Sequence, residues 1–248
     1  MTLFIGTPLK DINVEDIIIS RHSYWSEVSP ILRNYLLPNY KEIVATLIDK
    51  VVAFNDPFVA YQFSMDAVDV DIKPLQKLVL DSGNPHFCYL YARFVKGADI
   101  KKLQVKVNES KNIEYIIIFA CNVKEADISK LDNIILNTKK PRYAYMYIKC
   151  FPTHNVLKFK DILIKSKKSR YLFEISKHLP AGPERDNIEN IIVNNKSNMY
   201  VRLYASKIEG ANIKKLERRI VETGEKEEME KFAKKVKNSR LRKAGFLF

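Results

Sequence analysis

The sequence predicts an all-α fold, a solenoid of stacked helix-turn-helix repeats forming one elongated domain. Three observations predict it. An aromatic or apolar residue recurs at Phe63, Tyr91, Phe119, Tyr147, Ile175, Tyr204 and Phe232, with spacings of 28, 28, 28, 28, 29 and 28 residues. Around each, apolar residues recur every four positions, the period of one helix face. A second amphipathic segment follows each one after a short polar break. Glycine is scarce, at 7 residues against 10 prolines, which is thin for a fold built of many tight β-turns.

The recurrent residue defines position zero of each copy. Four residues earlier stand Val59, Phe87, Tyr115, Tyr143, Tyr171 and Tyr200, and four later Ala67, Val95, Val123, Phe151, Leu179, Ile208 and Val236. These rows are expected to be core. The next residue after position zero is small in most copies (Ser64, Ala92, Ala120, Ser176, Ala205, Ala233), which lets a neighbouring helix come close. Asp56–Pro57 and Asn84–Pro85 place a capping side chain before a proline at the first helical position. This is the first helix of each unit.

Eight residues after position zero stand Asp71, Asp99, Asp127, Asn155 and Asn212, each before a β-branched residue. They are expected to cap the second helix. Its apolar row is Leu75, Leu103, Leu131, Phe159 and Leu216, then Val79, Val107, Ile135, Leu163 and Ile220. The fifth copy carries the one-residue insertion, with Pro180, Gly182 and Pro183 rebuilding its turn. Ile188 and Ile192 then restore the row. Strand-like stretches such as YIIIFA and YAYMYI invite a leucine-rich-repeat reading, but the rows recur every four residues and no LxxLxL pattern is present. A hairpin this short buries its apolar faces only by stacking on its neighbours.

Residues 1–55 are expected to form an N-terminal cap with a degenerate first repeat, in which Ile31, Tyr35, Leu47 and Val51 fall on the grid while Trp25 lies off it. Residues 56–236 are the helical repeats, and 237–248 a basic and apolar tail ending in GFLF. The stretches YLYARFVKGADIKKLQ and LYASKIEGANIKKLERRIVETGE resemble the short helical repeats of uncharacterised proteins of large DNA viruses and some phages. The resemblance covers roughly 56–236. The chain also resembles HEAT-like solenoids loosely. The resemblance implies a repeat scaffold of viral origin and carries no catalytic residues.

The net charge of +13 is uneven: residues 1–72 carry −5 and residues 73–248 carry +18. A basic body of this kind favours an acidic partner. Eleven residues after position zero stand Lys102, Lys130, Lys158 and Lys215, and one place earlier Lys73, Lys101 and Lys214. Residues in one repeat column line up along a solenoid, so these seven lysines form the candidate binding stripe, with side chains not needed for folding. Its expected partner is nucleic acid, held through backbone charge, or alternatively an acidic protein surface held by an adaptor through the solenoid groove.

No reaction chemistry emerges from the residues. His22, His86, His154 and His178 have no ligand-spaced partners, and no phosphate loop or nucleophile elbow is present. Neither a metal, a cofactor nor a small-molecule substrate is expected, and the protein reads as a non-enzyme. Cys88, Cys121 and Cys150 occupy three different columns and are expected to be reduced thiols of an intracellular protein, in the cytoplasm or nucleus of a host cell if viral. No apolar run reaches the length of a membrane span, and the N-terminus lacks a leader pattern.

Overall fold

Five of the junctions between repeats close on a turn whose chemistry recurs at fixed columns. Nine residues before position zero, Ser82, Ser110, Thr138, Ser166 and Thr223 each donate a hydroxyl to the carbonyl three residues back, at 2.6–2.7 Å. Each also accepts the N–H two residues ahead. The intervening residue adopts the left-handed conformation: Gly83, Lys111, Lys139, Lys167 and Gly224 have φ between 52° and 70°. Glycine takes this conformation freely, whereas a lysine holds it against the clash of its own Cβ.

The computed structural model describes residues 48–66, 71–195 and 197–243. The expectations for Trp25, His22, Ile31, Tyr35, Leu47, Ala67 and GFLF lie outside them. The described residues hold helices and no strands, and they fall into two compact units, 1–129 and 130–248.

Unit 1 contains α1 (Pro57–Asp66), α2 (Lys73–Asp81), α3 (Pro85–Phe94), α4 (Ile100–Glu109) and α5 (Ile113–Asn122). First helices α1, α3 and α5 pack side by side, second helices α2 and α4 pack on each other, and each first helix meets the second helix of its own hairpin where both lie in the unit. Unit 2 contains α6 (Leu131–Thr138), α7 (Pro141–Cys150), a 3₁₀ turn (Val156–Phe159) leading into α8 (Lys160–Lys165), α9 (Ser169–Ser176), α10 (Pro183–Asn194), α11 (Asn198–Lys207), α12 (Ile213–Glu222), α13 (Lys226–Lys235) and α14 (Arg240–Lys243). There α7, α9, α11 and α13 form one layer, with α10 packing on α12 in the other. Each unit is therefore a solenoid-like stack of helical hairpins.

Position zero is buried in all seven copies, as are the second-helix rows from Leu75 and Val79 through Ile188 and Ile192 to Leu216 and Ile220. The row four residues before position zero differs from the expectation. Phe87, Tyr115, Tyr143, Tyr171 and Tyr200 are only half-buried, and the core is instead lined three residues before position zero by Ala60, Cys88, Ile116, Ala144, Leu172 and Val201. The buried stripe thus runs i, i+3, i+4, i+7. The displaced aromatics flank it and touch rings of the preceding first helix: Phe87 with Phe58 at 6.2 Å, Tyr115 with His86 at 5.7 Å, Tyr171 with Tyr145 at 5.1 Å and Tyr200 with Phe173 at 6.2 Å.

Tyrosines at position zero send their hydroxyls into the preceding repeat. Tyr91 meets Ser64 Oγ at 2.9 Å and donates to the Ile72 carbonyl at 3.3 Å, and Tyr204 donates to the Arg185 carbonyl at 3.2 Å. The small column after position zero makes room for this approach.

Of the five expected second-helix caps, two act as such: Asp99 accepts from Lys102 N–H at 3.1 Å and Asn212 from Lys215 N–H at 3.2 Å. Asp71 and Asp127 instead accept the N–H two residues on. Asn155 sits in the left-handed region (φ 43°) with no side-chain cap bond.

A further column, thirteen residues after position zero, ties each repeat to the next. Gln76 accepts the Asp99 N–H at 2.8 Å. Gln104 accepts the Asp127 N–H at 2.9 Å and donates to the Asp127 carbonyl at 2.6 Å. In unit 2, Glu189 accepts the Asn212 N–H at 2.9 Å, and Glu217 accepts from Arg240 N–H at 3.2 Å and Leu241 N–H at 2.7 Å. In the fourth copy the column residue is Lys160, and it pairs with Glu184, just past the rebuilt turn of the fifth copy, at 2.6 Å.

Candidate basic surface

The seven predicted lysines stand at or just before the starts of second helices, and the structure sorts them into two sets. Lys73, Lys101, Lys130 and Lys214 are exposed and have no carboxylate partner among the described residues. Lys102, Lys158 and Lys215 are paired. Lys102 reaches its own cap Asp99 at 3.2 Å. Lys215 reaches Glu189 at 3.6 Å and also bonds Asn190. Lys158 reaches Asp132 at 2.8 Å.

The last two pairs differ from the expectation that these side chains are free of structural duty. Asp132 and Glu189 are both buried and sit in the column that ties repeats together. A buried carboxylate without a partner is costly, so a lysine of the following copy, 26 residues on, is drawn back over it. Asp132 also accepts a hydrogen bond from the Tyr147 hydroxyl at 2.8 Å. A phenol has a single proton, so Tyr147 accepts from His154 Nδ1, 2.6 Å away. Burial works against the ionised form of Asp132, but Lys158 and Tyr147 together outweigh it and hold the carboxyl below its ordinary range.

In unit 1, Lys101, Lys102 and Lys106 of α4 line a shallow depression of about 280 Å³ together with Leu80 and Val105. Lys106 is paired with Glu109 at 2.8 Å, which leaves Lys101 as the uncompensated charge there. Such a surface offers cations to an anion laid across it.

The basic stretch from Lys158 to Arg170 stands out in the sequence, but the recurrence of its last residues in a second copy was missed; both lie at the starts of first helices of unit 2. The fourth and fifth copies open with the same pattern, Lys139-Lys140-Pro141-Arg142-Tyr143 and Lys167-Lys168-Ser169-Arg170-Tyr171. Three of these cations lie over rings, Arg170 over Tyr145 at 4.4 Å, Lys140 over Tyr143 at 5.8 Å and Lys168 over Tyr171 at 5.9 Å, and Lys177 at the end of α9 lies over Phe173 at 4.6 Å. Comparing the starts of successive copies would have found it, because the other copies lack the double lysine with an arginine two places on.

Among the described residues, no group of three or more His, Cys, Asp or Glu side chains is placed to hold a metal, and no helix is long and apolar enough to cross a membrane. The expectation of three reduced thiols is corrected. Cys88 is the free thiol, buried, and burial pushes it up to about 11, while Cys121 and Cys150 are disulfide-bonded. These two stand two and three residues after position zero, in adjacent columns that a strict column-by-column comparison treats as unrelated.

The chain matches no protein-family model, no curated protein and no solved structure.

Proposed function

We propose that the protein is a non-enzymatic binding scaffold whose basic second-helix surface engages a polyanion, namely the phosphate backbone of nucleic acid. The observation that carries this reading is the set of four exposed lysines, Lys73, Lys101, Lys130 and Lys214, that have no carboxylate partner among the described residues. Elsewhere lysines are used internally, as at Lys158 and Lys215. Cations left unpaired in a body of net charge +18 bind by releasing counterions from the nucleic acid, without reading bases. The same reading places the protein inside a cell, where such a partner resides.

The test is a salt titration of binding to a fluorescent duplex. The unmodified protein should lose affinity as a steep power of salt, and reversal of all four lysines to Glu should flatten that slope by about 0.9 for each phosphate contact removed. A control reverses the exposed lysines Lys96, Lys124, Lys207 and Lys235 instead. Equal loss in both variants makes the attraction one of net charge alone and removes these four from the site. Absence of binding by the unmodified protein at physiological salt refutes the nucleic-acid reading in favour of an adaptor that docks an acidic protein.

A further inference from the structure

The first-helix layer of unit 2 carries basic and aromatic residues side by side. Residues 139–150 and 167–177, which contain α7 and α9, hold eight Lys and Arg against a single carboxylate, Glu174. Glu174 is itself buried and already neutralised by Lys177, at 3.1 Å from both oxygens, and by Lys149 at 4.0 Å. The equivalent first-helix segments of unit 1 are different: residues 83–94 hold only Arg93, and residues 111–122 one lysine and one glutamate. The accumulation therefore belongs to two particular copies and is not a property of the repeat.

Arg170 is exposed and has no carboxylate partner among the described residues. One side of its guanidinium faces Tyr145, 4.4 Å from the ring centroid. Tyr145 in turn packs against Tyr171 at 5.1 Å, and Tyr200 continues the row of half-buried rings on α11. The result is a half-buried cluster of rings, tilted by 42° between Tyr145 and Tyr171, with the exposed Arg170 guanidinium over Tyr145, Lys168 over Tyr171 and Lys140 over Tyr143. Flat π-surfaces and guanidinium planes are what unstacked bases lie on. A base in a duplex is already stacked on both faces, so only an unpaired one can use this cluster, whereas lysines attract both forms.

We infer that this face binds single-stranded nucleic acid, with a base stacked on the outer side of Arg170 over Tyr145 and the adjoining phosphates on Lys140 and Lys168. This rests on the nucleic-acid reading above and narrows it to single strands.

The test compares a labelled 20-nucleotide thymidine strand with a 20-base-pair duplex by fluorescence anisotropy at one salt concentration. The unmodified protein should hold the single strand at least about tenfold more tightly, the scale on which one stacked base contributes. The variant Tyr145→Leu/Tyr171→Leu/Arg170→Lys keeps the charge and removes the cluster. It should lose that preference while its duplex affinity stays within about twofold. Arg170→Lys alone alters only an exposed side chain, so it folds even if the triple variant does not, and it should erode the preference on its own. Equal affinity of the unmodified protein for both probes, or equal loss on both probes in these variants, overturns the stacking site and leaves the polyanion reading standing. Failure to bind either probe overturns both.

Discussion

Replacing Lys158 with Met should destabilise the protein, whereas Lys101→Met should not, although both lysines are exposed and stand one column apart. Lys158 Nζ lies 2.8 Å from Oδ2 of Asp132, whose side chain is only 10% exposed. A hydrogen bond to a charged group contributes about 1.5–3 kcal/mol. The lysine side chain is 45% exposed, so water screens part of this and about 1–2 kcal/mol should remain. Tyr147→Phe removes the other donor to the same carboxylate from a fully buried position, at a cost of about 1.5–3 kcal/mol. The two losses should not add, because both leave the same Asp132 charge exposed to its own desolvation. With a urea slope of about 2 kcal/mol per M, Lys158→Met lowers the midpoint by about 0.5–1 M. The pH dependence carries a second signature. The Asp132 carboxyl is held below its ordinary value, so its contribution is complete above the unfolded aspartate pKa of about 3.9 and is lost as pH falls through the lower folded value. Without Lys158 that loss should begin at higher pH. Identical urea midpoints for Lys158→Met and Lys101→Met would refute the reasoning, since they would make the Lys158–Asp132 contact no more than a surface ion pair.

Two more predictions rest on the turns and the thiols. Gly224→Ala should cost about 1 kcal/mol although no atom lies within 4 Å of the new Cβ, because the whole penalty comes from φ +70°; Lys139→Gly, at φ 52° in the same column, should stabilise by a few tenths to about 1 kcal/mol, less than the strain relieved because glycine orders at greater entropic cost. Thermal denaturation that moves both variants in the same direction would show the turn column to be tolerant of side chains. Titration of thiols in denaturant without reductant should find one per chain, Cys88, and three after reduction; three before reduction would contradict the disulfide-bonded state of Cys121 and Cys150.

The repeat was legible because burial at one column is demanded of every copy at once. Position zero and the second-helix rows are each filled by Leu, Ile, Val, Phe or Tyr, and even the inserted residue in the fifth copy only displaces Ile188 and Ile192 by one place. Size misled the reading of the first helix. The large aromatics four residues before position zero drew attention from Ala60, Cys88 and Ala144, three before it, which are small yet fully buried. The ties between repeats were hidden by chemistry. Gln76, Gln104, Asp132, Lys160, Glu189 and Glu217 share a column, but their charges run from negative to positive, so no single residue type fills it, and each has a partner more than twenty residues away. The division of the seven lysines followed from the same column. Lys158 and Lys215 find buried carboxylates there, whereas Lys101 has no such neighbour, and nothing within a single copy distinguishes them. The double-lysine starts at Lys139 and Lys167 were masked by averaging over seven copies, only two of which carry them.

The column that ties one repeat to the next makes the copies unequal as building blocks. In unit 1 the acceptor is a neutral amide, Gln76 or Gln104, so an array cut after either would leave one polar group to be met by water. In two copies of unit 2 it is a glutamate: Glu189 and Glu217 are each 6% exposed and rely on the N–H groups that the following copy presents. A truncation after either glutamate strands a charge that was desolvated by its own neighbours. Shortening or splicing the array therefore has a direction. Copies of the glutamine kind can close a C-terminal end, while copies of the glutamate kind need a successor or a change of that one residue.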